Sequence, residues 1–178
     1  PRRAAYECRG GGARPGRAWG GGGAGGGGGG GVAGRGDVAD VEGAGSRLAN
    51  VRLTGRHFDH LRMVDVMIED CELSGVTIAD GHFTRVELRR CRLSGLVAST
   101  LKAHHVRLVD CRADGATFRM TAWDHAELTD VDLRDVDFYG SNLTGVRLPG
   151  CDLPGADFSK ARVEAAALHG STLDGVRA

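Results

Sequence analysis

The sequence predicts an all-β solenoid, a chain wound into coils of four short sides around an apolar axis. Three observations predict it. From residue 48 onward, every position whose number ends in 3 or 8 is Leu, Phe, Ile, Met, Val, Trp or Ala, from Leu48, Leu53, Phe58 and Met63 through to Leu168, Leu173 and Ala178. Positions ending in 1 or 6 are mostly small or β-branched, as at Val51, Val66, Val76, Val86, Val106, Ala116 and Val131. Every twentieth residue then falls into a column of like side chains. A period of five fits neither the helical repeat of about 3.6 nor the strand repeat of about 2. Self-similarity at a fixed period instead marks a repeat architecture.

The columns define the coil. One holds Ile68, Leu88, Leu108, Leu128, Leu148 and Leu168; another runs from Phe58 and Ile78 to Phe118, Phe138 and Phe158. Cys71, Cys91, Cys111 and Cys151 form a third, with Val131 in the gap, and Gly55, Gly75, Gly95, Gly115, Gly155 and Gly175 a fourth. Four sides of five residues therefore close one square turn. Positions ending in 0 or 5 favour Gly, Asp and Asn, the residues that turns prefer. Interior volume is held roughly constant, as close packing requires: Leu96 precedes Ala98, Leu101 precedes Ala103, and Gly81 precedes Phe83. Trp123 is the largest inward residue and has Ala103 one coil below it. Arg56 occupies an inward slot and predicts local distortion or a partly open end there.

Taken in chain order, residues 1–36 are a Gly/Arg-rich tail, with Gly20 to Gly31 interrupted only by Ala24. Such a stretch buries almost nothing apolar, cannot offset an ordering entropy of roughly 1–2 kcal/mol per residue, and reads as disordered. Its arginines read as a solvated linker. Residues 37–178 form the solenoid, about six to seven coils and roughly 30 Å long at the usual strand spacing.

This pattern resembles the pentapeptide-repeat family, whose consensus is Ala-(Asp/Asn)-Leu-x-x. The matching triplets include Ala116-Thr117-Phe118, Val131-Asp132-Leu133, Val136-Asp137-Phe138, Ser141-Asn142-Leu143, Cys151-Asp152-Leu153 and Ala156-Asp157-Phe158. The resemblance implies a right-handed quadrilateral β-helix, with the central residue of each repeat and the one two before it pointing inward.

Composition narrows the function classes. Thirty residues are Gly, aromatics are 5%, and 23 basic residues balance 23 acidic ones. No apolar run reaches the length of about eighteen residues that a membrane span needs. Gly follows the N-terminal arginines where a secretory signal would be apolar. Pro1 in place of an initiator Met reads as a processed chain or a piece of a longer one. The four stacked cysteines point side by side, a poor geometry for disulfides, and read as small buried hydrophobes in a cytoplasmic protein.

No catalytic constellation, cofactor or bound metal is expected. Ser141, Ser159 and Ser171 fall at turns or small inward slots. The Gly residues recur as turn formers and open no phosphate-cradling helix. The candidate for metal ligation is one corner of the rod: His105 and His125 share a column, and His104 stacks on Asp124 beside them. Exposed histidines at a turn read first as ordinary polar surface, and no metal is assigned to them. Glu87, Arg107, Glu127 and Arg147 form a charge ladder of alternating sign.

These features predict a non-catalytic scaffold that binds another protein, with membrane and nucleic-acid partners disfavoured. The chain stays in phase to Val176-Arg177-Ala178, and an uncapped coil invites edge pairing, so a homodimer through the C-terminal coil, or a truncated chain, is expected. The resemblance adds an alternative, a DNA mimic that binds DNA gyrase, protecting it from quinolones or inhibiting it. Such a mimic needs a strongly negative rod, whereas residues 46–178 hold seventeen basic and nineteen acidic residues.

Overall fold

The computed structural model describes residues 37–39 and 42–178. The segment 1–36, read above as disordered, lies outside the described residues. The rest is a right-handed β-solenoid with no helix.

Its elements are β1 (Asp37–Ala39), β2 (Glu42–Ala44), β3 (Arg47–Ala49), β4 (His57–Asp59), β5 (Arg62–Glu69), β6 (Thr77–Ala79), β7 (His82–Arg89), β8 (Val97–Ser99), β9 (Lys102–Val109), β10 (Ala122–Asp124) and β11 (Glu127–Thr129). All named pairings are parallel and offset by twenty residues, as in Val66↔Val86↔Val106 and Ile68↔Leu88↔Leu108↔Leu128. Strands β1, β4, β6 and β8 line one side of the rod. A seven-stranded sheet covers the next two sides, because β5, β7 and β9 each run through a corner without a break. The fourth side is held by single bridges, Arg52↔Glu72↔Arg92↔Arg112↔Asp132↔Asp152↔Thr172.

The five-residue turn has a backbone cause. Every position ending in 0 or 5 from 45 to 175 has φ between 49° and 74°. This left-handed region costs an L-residue with a Cβ roughly 1–2 kcal/mol, and Asn and Asp tolerate it better than most. Corners at Gly140, Gly145, Gly150 and Gly155 incur no such cost, and there the coils are joined by isolated bridges between tight turns.

Inward positions fill the axis. Leu128, Leu133, Val136, Phe138, Leu143, Val146 and Leu148 are all at most 1% exposed. Phe118, Phe138 and Phe158 stack with ring centroids 5.4 and 5.2 Å apart, and Trp123 meets Phe118 edge-on at 5.3 Å. Gly81 is required by its neighbours, since a Cβ there would sit 2.7 Å from Leu101 Cδ1 and 2.9 Å from Ile78 Cγ2.

At Arg56 the first of the two expected outcomes, distortion, is absent, and at Leu168 the expected burial fails. The backbone is not distorted at Arg56: its N–H donates to Leu53 O at 3.2 Å, the same bond Val76 makes to Leu73, and its carbonyl accepts from Thr77. The side chain is half-buried at the early end of the rod. Leu168, assigned to the core column, is 38% exposed, because no described residues stack on the last coil to cover it. Val163 and Leu173 share that exposure.

Candidate interaction faces and the histidine corner

The sequence-assigned core columns lie inside. Ile68, Leu88, Leu108, Leu128 and Leu148 are buried, as are Phe118, Phe138, Phe158 and the four cysteines. The cysteines are free thiols. They do more than fill space. Each Sγ donates to the carbonyl of the Leu or Ile twenty-three residues earlier: Cys71 to Leu48 (3.8 Å), Cys91 to Ile68 (3.5 Å), Cys111 to Leu88 (3.5 Å) and Cys151 to Leu128 (3.1 Å). Ser171 continues the column with the same bond, Oγ to Leu148 O at 2.5 Å. Burial pushes the Cys151 thiol up to about 11, so it stays protonated and able to donate at neutral pH.

A buried polar knot escaped the sequence reading. Trp123 Nε1 donates to Thr121 Oγ1 at 2.9 Å, and Thr121 Oγ1 donates to Phe118 O at 2.8 Å. Ser141 Oγ donates to the same carbonyl and lies 3.0 Å from Thr121 Oγ1. The signal for it was present, because Thr121 and Ser141 are adjacent members of one inward column.

Most charged groups stand on the outside, and several pair between coils. Arg85 grips Asp65 through two bonds of 2.5 and 2.8 Å, and Arg90 grips Asp70 at 2.8 and 3.0 Å. Those hydrogen bonds hold both carboxyls below the usual carboxylate range. Asp132 is lowered likewise by Arg134. The anticipated ladder forms only in part. Glu127 sits between Arg107 (3.7 Å) and Arg147 (3.5 Å), but Glu87 turns along its own strand to Arg89. Glu69 is a buried carboxylate, paired with Arg47 from the preceding coil. Tyr139 carries a cation on each side, Arg119 and Lys160, each 5.1 Å from its ring.

The histidine corner assembles from β9 and the end of β10. Ring centroids of His104 and His105 are 4.2 Å apart, those of His105 and His125 4.9 Å, and those of His104 and His125 5.8 Å. Asp124 pairs in register with His104; its Oδ2 is hydrogen-bonded to Nδ1 of His104 at 2.6 Å, and its Oδ1 lies 2.7 Å from Nδ1 of His125 as an ion-pair contact. Desolvation works against the charged form, yet the bond from His104 and the nearby His125 hold the Asp124 carboxyl low.

Residues 81–158 match the family described as the pentapeptide repeat region. That stretch is a pentapeptide-repeat region. The pentapeptide-repeat rod is similar to several solved structures. A trypsin-treated variant of QnrB1, a plasmid-mediated fluoroquinolone resistance protein, is 19% identical over 80% of this chain and 91% of that one, with a TM-score of 0.38. Rfr23 from the cyanobacterium Cyanothece 51142 is 17% identical over 76% and 86%, with a TM-score of 0.36. HetL from Nostoc sp. strain PCC 7120 is 15% identical over 78% and 87%, with a TM-score of 0.26. No curated protein matches the chain. Among the described residues, no helix is long and apolar enough to cross a membrane.

Proposed function

We propose that this chain is a non-catalytic scaffold that docks another protein on its flat outer faces. The supporting observation is how the rod divides its residues. Apolar side chains close the axis, while charged ones stand outside at a fixed step of twenty residues. A surface of that kind recognises by charge pattern spread over area, which gives specificity and orientation. Residues 46–109 hold ten basic and seven acidic residues, and residues 110–178 hold seven and twelve. A partner with the opposite gradient docks in one direction.

The test is affinity capture from the native host with the wild type and with Asp114, Asp130, Asp135 and Asp174 all changed to Asn. Asn keeps the side-chain shape and tolerates the left-handed corners at 130 and 135. The proposal expects a stoichiometric companion protein that the variant loses while its melting temperature holds. A variant that keeps every companion, or a wild type that captures none, contradicts it.

The proposal extends to a second copy at the C-terminal coil. Val163, Leu168 and Leu173 are 44%, 38% and 46% exposed and stand in phase with buried Leu143, Leu148 and Leu153. A second copy seated there would continue those columns. Light scattering should show mass doubling with concentration for the wild type and a constant mass for Leu168→Glu. A wild type that stays monomeric at high concentration rejects the homodimer.

The gyrase-binding alternative is less well supported by this surface. Arg89, Arg90 and Arg92 stand where a phosphate mimic wants carboxylates, next to the pairs made with Glu87, Asp70 and Glu72. A gyrase supercoiling assay with and without the protein separates the two readings.

A further inference from the structure

We propose that the corner formed by His104, His105 and His125 is a zinc site that staples two neighbouring coils together. Each imidazole offers a ligand nitrogen, and the three nitrogens lie within 4.8 Å of one another. Tetrahedral zinc with Zn–N bonds of about 2.0–2.1 Å needs its ligands roughly 3.4 Å apart. The shortfall is closed by small rotations of exposed side chains. Imidazole nitrogens suit zinc, copper and nickel, and not calcium or magnesium.

Two features of the backbone and its neighbours make the arrangement more than a crowd of histidines. His105 and His125 both take the left-handed corner, with φ of 52° and 51°, so their Cα–Cβ bonds run parallel one coil apart. Asp124 holds His104 and His125 through the same ring nitrogen, Nδ1, at 2.6 and 2.7 Å. At His104, a carboxylate accepting from Nδ1 favours the tautomer in which Nε2 carries the lone pair, the usual support behind metal-bound histidine, and at His125 it lies close enough to orient the ring.

The corner column leaves room for an ion. Gly145 stands above His125 in the corner column, with open space where a Cβ would be. Arg85, below His105 in that column, is engaged by Asp65. Three protein ligands leave the fourth position to water.

Because the ligands come from two coils, an ion bound here ties those coils together. Binding to the folded chain alone raises its stability by mass action. The experiment is calorimetric titration of the full chain with zinc chloride, with melting curves in zinc and in chelator. His105→Asn and His125→Asn serve as ligand variants, since Asn adopts left-handed corners readily. The expected result is one zinc per chain and a higher melting temperature in zinc. Each variant should bind at least roughly tenfold more weakly and lose the zinc-dependent increment. That increment is the readout, so a variant that is less stable without metal still reports. Asp124→Asn should weaken zinc by about 10–100-fold although it removes no ligand; unchanged affinity would overturn the carboxylate's part. Affinity unchanged in both histidine variants would overturn the site, as would absence of heat and of any melting shift in zinc.

Discussion

The left-handed corner residue sets the shape of this protein. Asp, Asn and Gly take most corners, and Arg85, Thr100, Met120 and Ala165 take others at φ of 52–57°. Where a residue with a Cβ holds this conformation and its side chain is largely exposed, Gly should serve better. Met120 is 63% exposed with φ of 56°. Met120→Gly relieves roughly 1–2 kcal/mol of backbone strain and adds about 0.5–1 kcal/mol of unfolded-chain entropy. Urea denaturation should show equal or modestly higher stability; a clear loss would refute the strain argument. The buried knot makes a second prediction at this scale. Thr121→Val keeps the volume but strands Trp123 Nε1 without its acceptor. The cost should be about 1–3 kcal/mol by the same measurement, because an unpaired buried donor forfeits its hydration.

At the scale of the coil and its columns, much was legible and some was not. The inward positions could be read because burial at 3 and 8 leaves a direct mark on residue type, and Leu108 over Leu128 follows from the spacing alone. The two-sided strands β5, β7 and β9 could not be read. Corner residues Asp65, Arg85 and His105 carry no sign in their identity that the ladder continues through them. The cysteine bonds were hidden for a similar reason, since volume predicts a small residue but not which carbonyl it meets. At the histidine corner the sequence placed all four residues together, and only the structure shows one carboxylate serving two rings.

The ladders predict a pH response. Asp65, Asp70 and Asp132 have folded pKa values below their unfolded ones, because hydrogen bonds from Arg85, Arg90 and Arg134 favour the charged form. Groups shifted that way contribute stability above the unfolded Asp value, near about 3.9, and lose it as pH falls through the folded value. Melting temperature should therefore hold between neutral pH and mildly acidic pH, then fall below about 4. A rise on acidification would contradict the pairing. Phe138→Ala, in the middle of the ring stack, should cost about 3–5 kcal/mol. A loss well under 1 kcal/mol would mean the rings are not packed as described.

For the whole molecule, stability accumulates from coil to coil, since each coil touches only its neighbours. A charge buried mid-rod should therefore break the molecule at that level, and Leu128→Asp should abolish the cooperative melting of the wild type. An unchanged melting curve would show that Leu128 is not inside. The same stacking fixes the outer faces relative to one another.

The central claim is that residues twenty apart lie directly on top of one another. It is tested most directly by methyl nuclear Overhauser contacts in protein labelled at its leucines. The account predicts cross-peaks linking Leu88 to Leu108, Leu108 to Leu128, and Leu128 to Leu148 in one unbroken series. Absence of that series, with contacts only between residues three or four apart, would contradict the solenoid and every inference drawn from its faces.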